Sequence, residues 1–309
     1  MAQTDIHTPK GFRDILPELA QKRRKTINTI VSILEEHDFV PIETPTVEFA
    51  ETLTGKYGEE ERLIYKFTDR GERKLALRFD LTVPLARYVA TNNPPLPFRR
   101  YQIGQVFRGE NPQRGRWREF TQLDFDTVGL EKGINDASIQ EDALVIATAV
   151  KATRSIGLKN AQMAINDRRH FSNIPIEVIR AFDKLNKIGI EGVEKEITSQ
   201  GFNKNQFEDF KFLIIEGKKR VGDLNKLFSV LSGKYGLTEG KDYFFDPTLA
   251  RGLDYYTFTI FELKPDNDPK SLSIGAGGRY DNLIGVFSKK NIPAVGFSFG
   301  LDRICKIVN

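Results

Sequence analysis

The sequence predicts an α+β fold, an antiparallel β-sheet flanked by helices and interrupted by a helical insertion. Two hairpin patterns occupy the first half of the chain, and strand-rich sequence resumes after a long Lys/Glu/Asn-rich helical stretch. Strands and helices nowhere alternate in the regular βαβ order that a parallel sheet requires.

Length and composition set the frame. The 309 residues suit one large or two modest domains, and 39% hydrophobic with 28% charged residues fit a folded globular protein. The 46 Lys+Arg against 42 Asp+Glu leave +4, too small a bias to imply nucleic-acid binding through a long-range field. A single cysteine, Cys305, excludes an internal disulfide, and His7, His37 and His170 are too scattered for a Cys/His zinc site, so no metal ligands are predicted. The opening MAQTDIHTPKGFRDILPELA lacks the apolar stretch of about 7 to 15 residues that a secretory signal needs. No run approaches the roughly 18 apolar residues of a membrane span. A cytoplasmic address, with no membrane partner, is the simplest expectation.

The elements follow in order. From Glu18 to His37, Ile27, Ile30, Val31 and Leu34 recur at helical spacing, with the basic run Lys22 to Lys25 read as a solvated face. Pro41 and Pro45 make the next stretch, Phe39 to Leu53, extended. LIYKFT and KLALRFD around a polar DRGER turn predict a hairpin, after which Thr82 and Pro84 open a short helix by N-cap and first-turn chemistry. A longer hairpin follows: FRRYQIGQVFR, the loop GENPQRGRWR, then EFTQLDFDTV. A helix is expected from about 136 to 158, a helical insertion over 171–241, and then DYFFDPTL, YYTFTIFEL and SLSIGAGG as strands before the strand-turn-helix PAVGFSFGLDRICKIV.

Familiar nucleotide-binding loops are missing. None of the Gly-Lys pairs at Gly55, Gly217, Gly233 and Gly240 is followed by Ser or Thr, and GAGGRY has Tyr280 where a dinucleotide fingerprint needs glycine. An ATP site would therefore be built from side chains on a sheet. The long hairpin offers Arg108, Glu110, Arg114, Arg116 and Arg118, guanidinium forks that suit phosphate oxygens; the same cluster also suits a solvated basic tip. On the return strand, alternation puts Gln122, Asp124 and Asp126 on one face and Leu123 and Phe125 on the other, a pattern shared by a pocket floor and a wet sheet face. Arg78, Asp80 and Thr82 repeat the period-two polarity. Arg251 and Arg279 each stand beside glycine and Arg303 three residues past Gly300, and an ordinary salt bridge is the simpler role for any one of them alone.

Taken jointly, these segments resemble the signature motifs of class II aminoacyl-tRNA synthetases, and specifically the histidyl-tRNA synthetase family. Motif 1 resembles the helix from 18 to 38 with FVPIETPTVEF, motif 2 QVFRGENPQRGRWREFTQLDFD, and motif 3 AVGFSFGLDRI. LARGLDYYTFTIFE and GAGGRYDNLIG resemble peptides peculiar to the histidine enzyme, and PKGFRDILP its N-terminal pattern. The resemblance implies a class II catalytic domain over 1–170 and 242–309, the helical insertion between them, and dimerisation through motif 1. It also implies activation of histidine by ATP, with Mg²⁺, to an adenylate and pyrophosphate, then transfer to the 3′ end of tRNA(His).

Roles follow residue by residue. The resemblance gives Arg108 the α-phosphate, Arg303 the outer phosphates, with Glu110 and Arg116 around the nucleotide, and places Arg251 between the histidine carboxylate and the α-phosphate. Asp80, Thr82 and Gln122 would take the ammonium, Asp126 and Tyr256 the imidazole, and Tyr280 the pocket wall. Many bacterial members carry Glu where Asp80 and Asp126 stand. The chain stops six residues after Arg303, whereas full members continue into an anticodon-binding domain, so the catalytic part alone is expected. Alternatives are the histidine-sensing regulatory subunit of ATP phosphoribosyltransferase, which typically loses the phosphate-binding arginines retained here, and a non-catalytic synthetase-like tRNA-binding module.

Overall fold

The computed structural model describes residues 6–111, 116–129, 136–216, 220, 222–250, 255–266 and 271–308. Helix α1 (Pro17–Glu35) starts with proline in its first turn and buries Thr26, Ile30, Ile33 and Leu34 along one stripe. It leads into β1 (Val40–Pro41), β2 (Val47–Phe49) and the short α2 (Ala50–Leu53). The first hairpin is β3 (Lys66–Thr68) with β4 (Lys74–Leu77), and β2 joins β4 to complete a small antiparallel sheet.

Helix α3 (Thr82–Asn92) begins where expected, but its cap differs from the sequence reading. Its N-cap residue, Leu81, makes no side-chain bond, and the Asp80 carboxylate instead accepts from Val83 N at 3.0 Å.

The long hairpin pairs β5 (Phe98–Phe107) with β6 (Glu119–Val128) over ten register positions. After α4 (Asp136–Ser155) and β7 (Gln162–Asp167) come the inserted helices α5 (Ile176–Phe182), α6 (Leu185–Ser199) and α7 (Lys204–Lys211), then α8 (Leu224–Gly233) and β8 (Tyr243–Phe245). The chain closes with β9 (Thr259–Lys264), β10 (Gly275–Arg279), β11 (Ala294–Gly300) and α9 (Leu301–Ile307). Among the described residues the main sheet has eight strands in the order β1-β5-β6-β11-β10-β9-β7-β8. Its central pairs are antiparallel, while β1 on β5 and β7 on β8 are parallel at the edges, a detail that hairpin patterns do not predict.

Strand periodicity sorts this sheet into two faces. Leu123 and Phe125 of β6 and Val295, Phe297 and Phe299 of β11 point back into the main core with α1 and α4. The opposite face carries the polar alternates and is the floor of the site.

Phe171, Val178, Phe182, Val193, Ile197, Phe207 and Ile214 form a separate core for the inserted helices. Helix α8, which the sequence groups with them, packs Leu224, Leu227, Phe228 and Leu231 into the main core instead. The self-contained part of the expected 171–241 insertion therefore ends near Ile215.

Candidate active site

Register converts alternation into rows of side chains across the floor. One row runs Arg100, Asp126, Gly296, Gly278; the next runs Gln102, Asp124, Ser298, Ala276; a third joins Gly104, Gln122 and Gly300. The glycines keep this face open for large groups. A Cβ on Gly296 would lie 1.8 Å from Asp126 Oδ1, one on Gly278 2.8 Å from the Tyr256 ring, and one on Gly104 2.3 Å from the Arg78 guanidinium.

The floor is acidic and dry. Asp80, Asp124 and Asp126 are all at least nine-tenths buried. Tyr57 Oη donates to Asp80 Oδ1 at 2.9 Å and Tyr255 Oη to Oδ2 at 3.3 Å. Asp126 pairs with Arg100 at 2.7 Å and accepts from the Tyr280 hydroxyl. Burial raises the Asp80 and Asp126 carboxyls above their ordinary value and pushes Asp124 up to about 7; Arg100 pulls Asp124 and Asp126 the other way, and hydrogen bonds from Val83 and Tyr57 do so for Asp80. Such a floor attracts a cationic ligand.

Arg100 and Tyr57 are contributions that the sequence reading missed. The signal for Arg100 was present, because Arg100 and Gln102 alternate along β5 as Asp124 and Asp126 do along β6; nothing local marked Tyr57. Arg78, merely noted for its periodicity, is buried, with Nη1 donating to Thr44 O at 2.9 Å and Nε to Gln105 O at 2.7 Å. It braces β4 against the main sheet.

The expected histidine set is mostly brought together. Thr82 opens α3 two residues past Asp80, whose carboxylate Tyr255 contacts, and the Tyr255 ring lies near those of Tyr256 and Tyr280 at centroid distances of 4.9 and 5.9 Å. Gln122 Nε2 donates to Ser298 Oγ at 2.9 Å. The hydroxyl on Asp126 is that of Tyr280, not Tyr256, which lies over Gly278 instead.

A basic rim borders this floor at the end of the sheet where β5 meets β6. The Arg108 guanidinium lies 4.4 Å from the Phe79 ring centroid and 5.1 Å from that of Phe120, with Nε donating to Phe79 O at 3.2 Å. Arg116 pairs with Glu110 at 3.3 Å across the base of the loop. Arg303, in the first turn of α9, donates to Ser273 O at 2.8 Å. Its neighbour Asp302 accepts from Thr121 N and Arg23, each at 2.7 Å, and from Arg13, tying α9 to β6, α1 and the N-terminal segment. The Lys22 to Lys25 run is thus not wholly solvated, since Arg23 is a half-buried strut. Arg251, Asp254 and Arg114 lie outside the described residues.

The family model described as histidyl-tRNA synthetase matches residues 11–185 and 203–304. The chain belongs to the histidyl-tRNA synthetase family. It is 41% identical to the histidine–tRNA ligase of Aeropyrum pernix over 96% of this chain and 72% of that protein. Its fold matches the histidyl-tRNA synthetase of a Nostoc species with a TM-score of 0.81 at 31% identity, covering 98% of this chain and 75% of that one. A Bacillus halodurans structure described as an ATP phosphoribosyltransferase regulatory subunit/histidyl-tRNA synthetase matches with a TM-score of 0.79 at 25% identity, covering 99% and 84%. Membership of this synthetase family accounts for an acidic floor beside a guanidinium rim.

Proposed function

We propose that this chain is the catalytic part of a histidine–tRNA ligase, which activates histidine with ATP and passes it to the 3′ end of tRNA(His). The observation that carries this reading is the division of one sheet face into a buried acidic floor (Asp80, Asp124, Asp126) and a rim of arginines (Arg108, Arg116, Arg303).

The first step needs two anionic reacting groups held together. The histidine carboxylate attacks the α-phosphorus in line while pyrophosphate leaves, so positioning and charge neutralisation do the catalysis. Arg108 takes the α-phosphate with its guanidinium held edge-on by the Phe79 carbonyl and stacked on two rings. Arg303 takes the outer phosphates, Glu110 and Arg116 hold the nucleotide, and Arg251 bridges the carboxylate and the α-phosphate. Mg²⁺ bound with the nucleotide would supply neutralising charge for the pyrophosphate leaving group.

Asp80, Thr82 and Gln122 take the ammonium group, and Asp126 with Tyr256 the imidazole nitrogens, with Tyr280 in the wall. A site that pairs both polar edges of its substrate rejects analogues lacking them by about 10⁴- to 10⁵-fold, enough to dispense with editing. In the second step the terminal ribose hydroxyl attacks the adenylate carbonyl, the bond from that carbonyl to the phosphate oxygen breaks to release AMP, and a phosphate oxygen accepts the hydroxyl proton. The enzyme acts in the cytoplasm as a homodimer through the motif 1 segment around α1, and a monomeric mass in sedimentation at micromolar concentration would tell against that dimer.

The direct test is histidine-dependent exchange of labelled pyrophosphate into ATP, for the wild-type chain and Arg251→Ala. Exchange in the first and its loss in the second support the reading. Well-folded protein that binds histidine without exchange would instead favour the regulatory-subunit alternative.

A further inference from the structure

The segment PKGFRDILP, ahead of α1, has no part in the reactions proposed above, yet it is built into the rim of the site. Pro9 to Phe12 form a turn closed by Phe12 N, which donates to Pro9 O at 2.9 Å. Gly11, third in the turn, has a φ of +91°, a conformation that favours glycine. A Cβ there would also fall 2.7 Å from Cγ and 2.8 Å from Cδ of Arg118. The turn is therefore shaped to lie against that one arginine.

Arg118 ties the turn to both limbs of the β5–β6 loop. Its N–H donates to Gly11 O and its own carbonyl accepts from Arg108 N, each at 2.9 Å. Its guanidinium donates to Lys10 O at 3.3 Å through Nη1 and to Glu110 O at 2.9 Å through Nε. Two residues past Gly11, the Arg13 guanidinium lies 4.5 Å from the Trp117 ring centroid and donates to Asp302, which precedes Arg303 in the first turn of α9. One short segment thus touches the loop that carries Arg108, Glu110 and Arg116 and the helix that carries Arg303.

The sheet does not supply this link by itself. Strands β5 and β6 stop pairing at Phe107 and Glu119, and β11 supports β6 only from Gln122 onward. Past those positions Trp117 and Arg118 lean on the turn and on Arg13. Among the described residues, the bonds of Lys10, Gly11 and Arg13 go to this rim and to α9, and none goes to the acidic floor.

We propose that Gly11 and Arg13 are positioning residues for the nucleotide, parts of a strap that fixes the base of the β5–β6 loop against α9 so that arginines from both converge on one triphosphate. This rests on the ATP assignment above and adds to it.

Gly11→Ala pushes the turn off Arg118. Arg13→Ala unlinks Trp117 from α9, while Arg23 and the Thr121 N–H still hold Asp302. Both variants and the wild-type chain are titrated by calorimetry with α,β-methylene-ATP and Mg²⁺, a nucleotide that cannot release pyrophosphate, and separately with histidine. Pyrophosphate exchange supplies the KM for ATP.

The analogue should bind roughly tenfold more weakly in each variant, the scale of one hydrogen bond to a charged group, and the KM for ATP should rise with it. Histidine affinity should match wild type in both. Weakening of both ligands by the same factor would reduce the strap to a support for the fold and overturn the proposal, as would unchanged analogue binding in both variants. If Gly11→Ala does not fold, Arg13→Ala decides by the same comparison. A wild-type chain that binds the analogue but shows no histidine-dependent exchange overturns the histidine reading alone, and the calorimetry still judges the strap.

Discussion

Arg100 and Asp126 face each other across β5 and β6 and form a 2.7 Å ion pair between side chains that are 0% and 3% exposed. Neither charge reaches water, so each depends on the other. Arg100→Met leaves the Asp126 carboxylate buried without its cation, and it will take up a proton. The fold should lose about 3–5 kcal/mol in urea denaturation, the usual cost of breaking a buried pair from one side. Histidine binding should fall with it, whereas a variant that keeps wild-type affinity would remove Asp126 from imidazole recognition.

Arg108 is placed by its planar shape as much as by its charge, lying between the Phe79 and Phe120 rings. Lysine keeps the charge but loses the fork and the stack. Arg108→Lys should lower the kcat of pyrophosphate exchange by roughly 10²- to 10³-fold, the scale seen when one charge-stabilising donor is removed. Stability should change by less than about 1 kcal/mol, since the group is partly exposed at the rim. Retained exchange would move the α-phosphate contact elsewhere.

Gly296 stands where Asp126 needs room, since an added Cβ would fall 1.8 Å from Oδ1 and 3.1 Å from the Phe125 carbonyl. Gly296→Ala should push the carboxylate off Arg100 and cost about 1–3 kcal/mol of stability, as overpacking does. The dissociation constant for histidine should rise in the same variant, and ATP binding should not change. Calorimetric titration with each ligand separates the two.

Behind the sheet, α4 buries Asp142 against Thr259 at 2.8 Å and Arg279 at 3.7 Å. Burial pushes this carboxyl up to about 7, although Arg279 opposes. The folded state then binds a proton more readily than the unfolded chain between its ordinary value near 4 and about 7, so this group's contribution makes the fold less stable as pH rises through that window. Asp142→Asn should remove the dependence. Its stability relative to wild type should improve by up to about 2 kcal/mol on going from about pH 5.5 to 8, read from urea midpoints. A constant difference across that range would show that the folded-state Asp142 does not titrate there.

Much of this was legible along the chain. The two hairpins, the helix from Pro17 and the alternation of Gln122, Asp124 and Asp126 against Leu123 and Phe125 all repeat at the period of their element, and period is a local property. Motif residues such as Arg108 and Arg303 stand at element ends, and the family resemblance, not spacing, singled them out. The cap of α3 escaped because aspartate two residues before Thr82 competes for the same amide, and a sequence does not rank two nearby acceptors. Helix α8 escaped for a different reason: its apolar stripe shows that it packs, not on which core.

The sequence by itself determined the class of fold, the order of the motifs and the family, because these depend on patterns within short segments. Only the tertiary structure decided which polar residues meet: Arg100 with Asp126, Tyr57 with Asp80, Arg23 with Asp302, and Gln122 with Ser298. Those pairs lie 23 to 279 positions apart or are matched by strand register. Register is set by the whole sheet closing over one core, and no local preference encodes it.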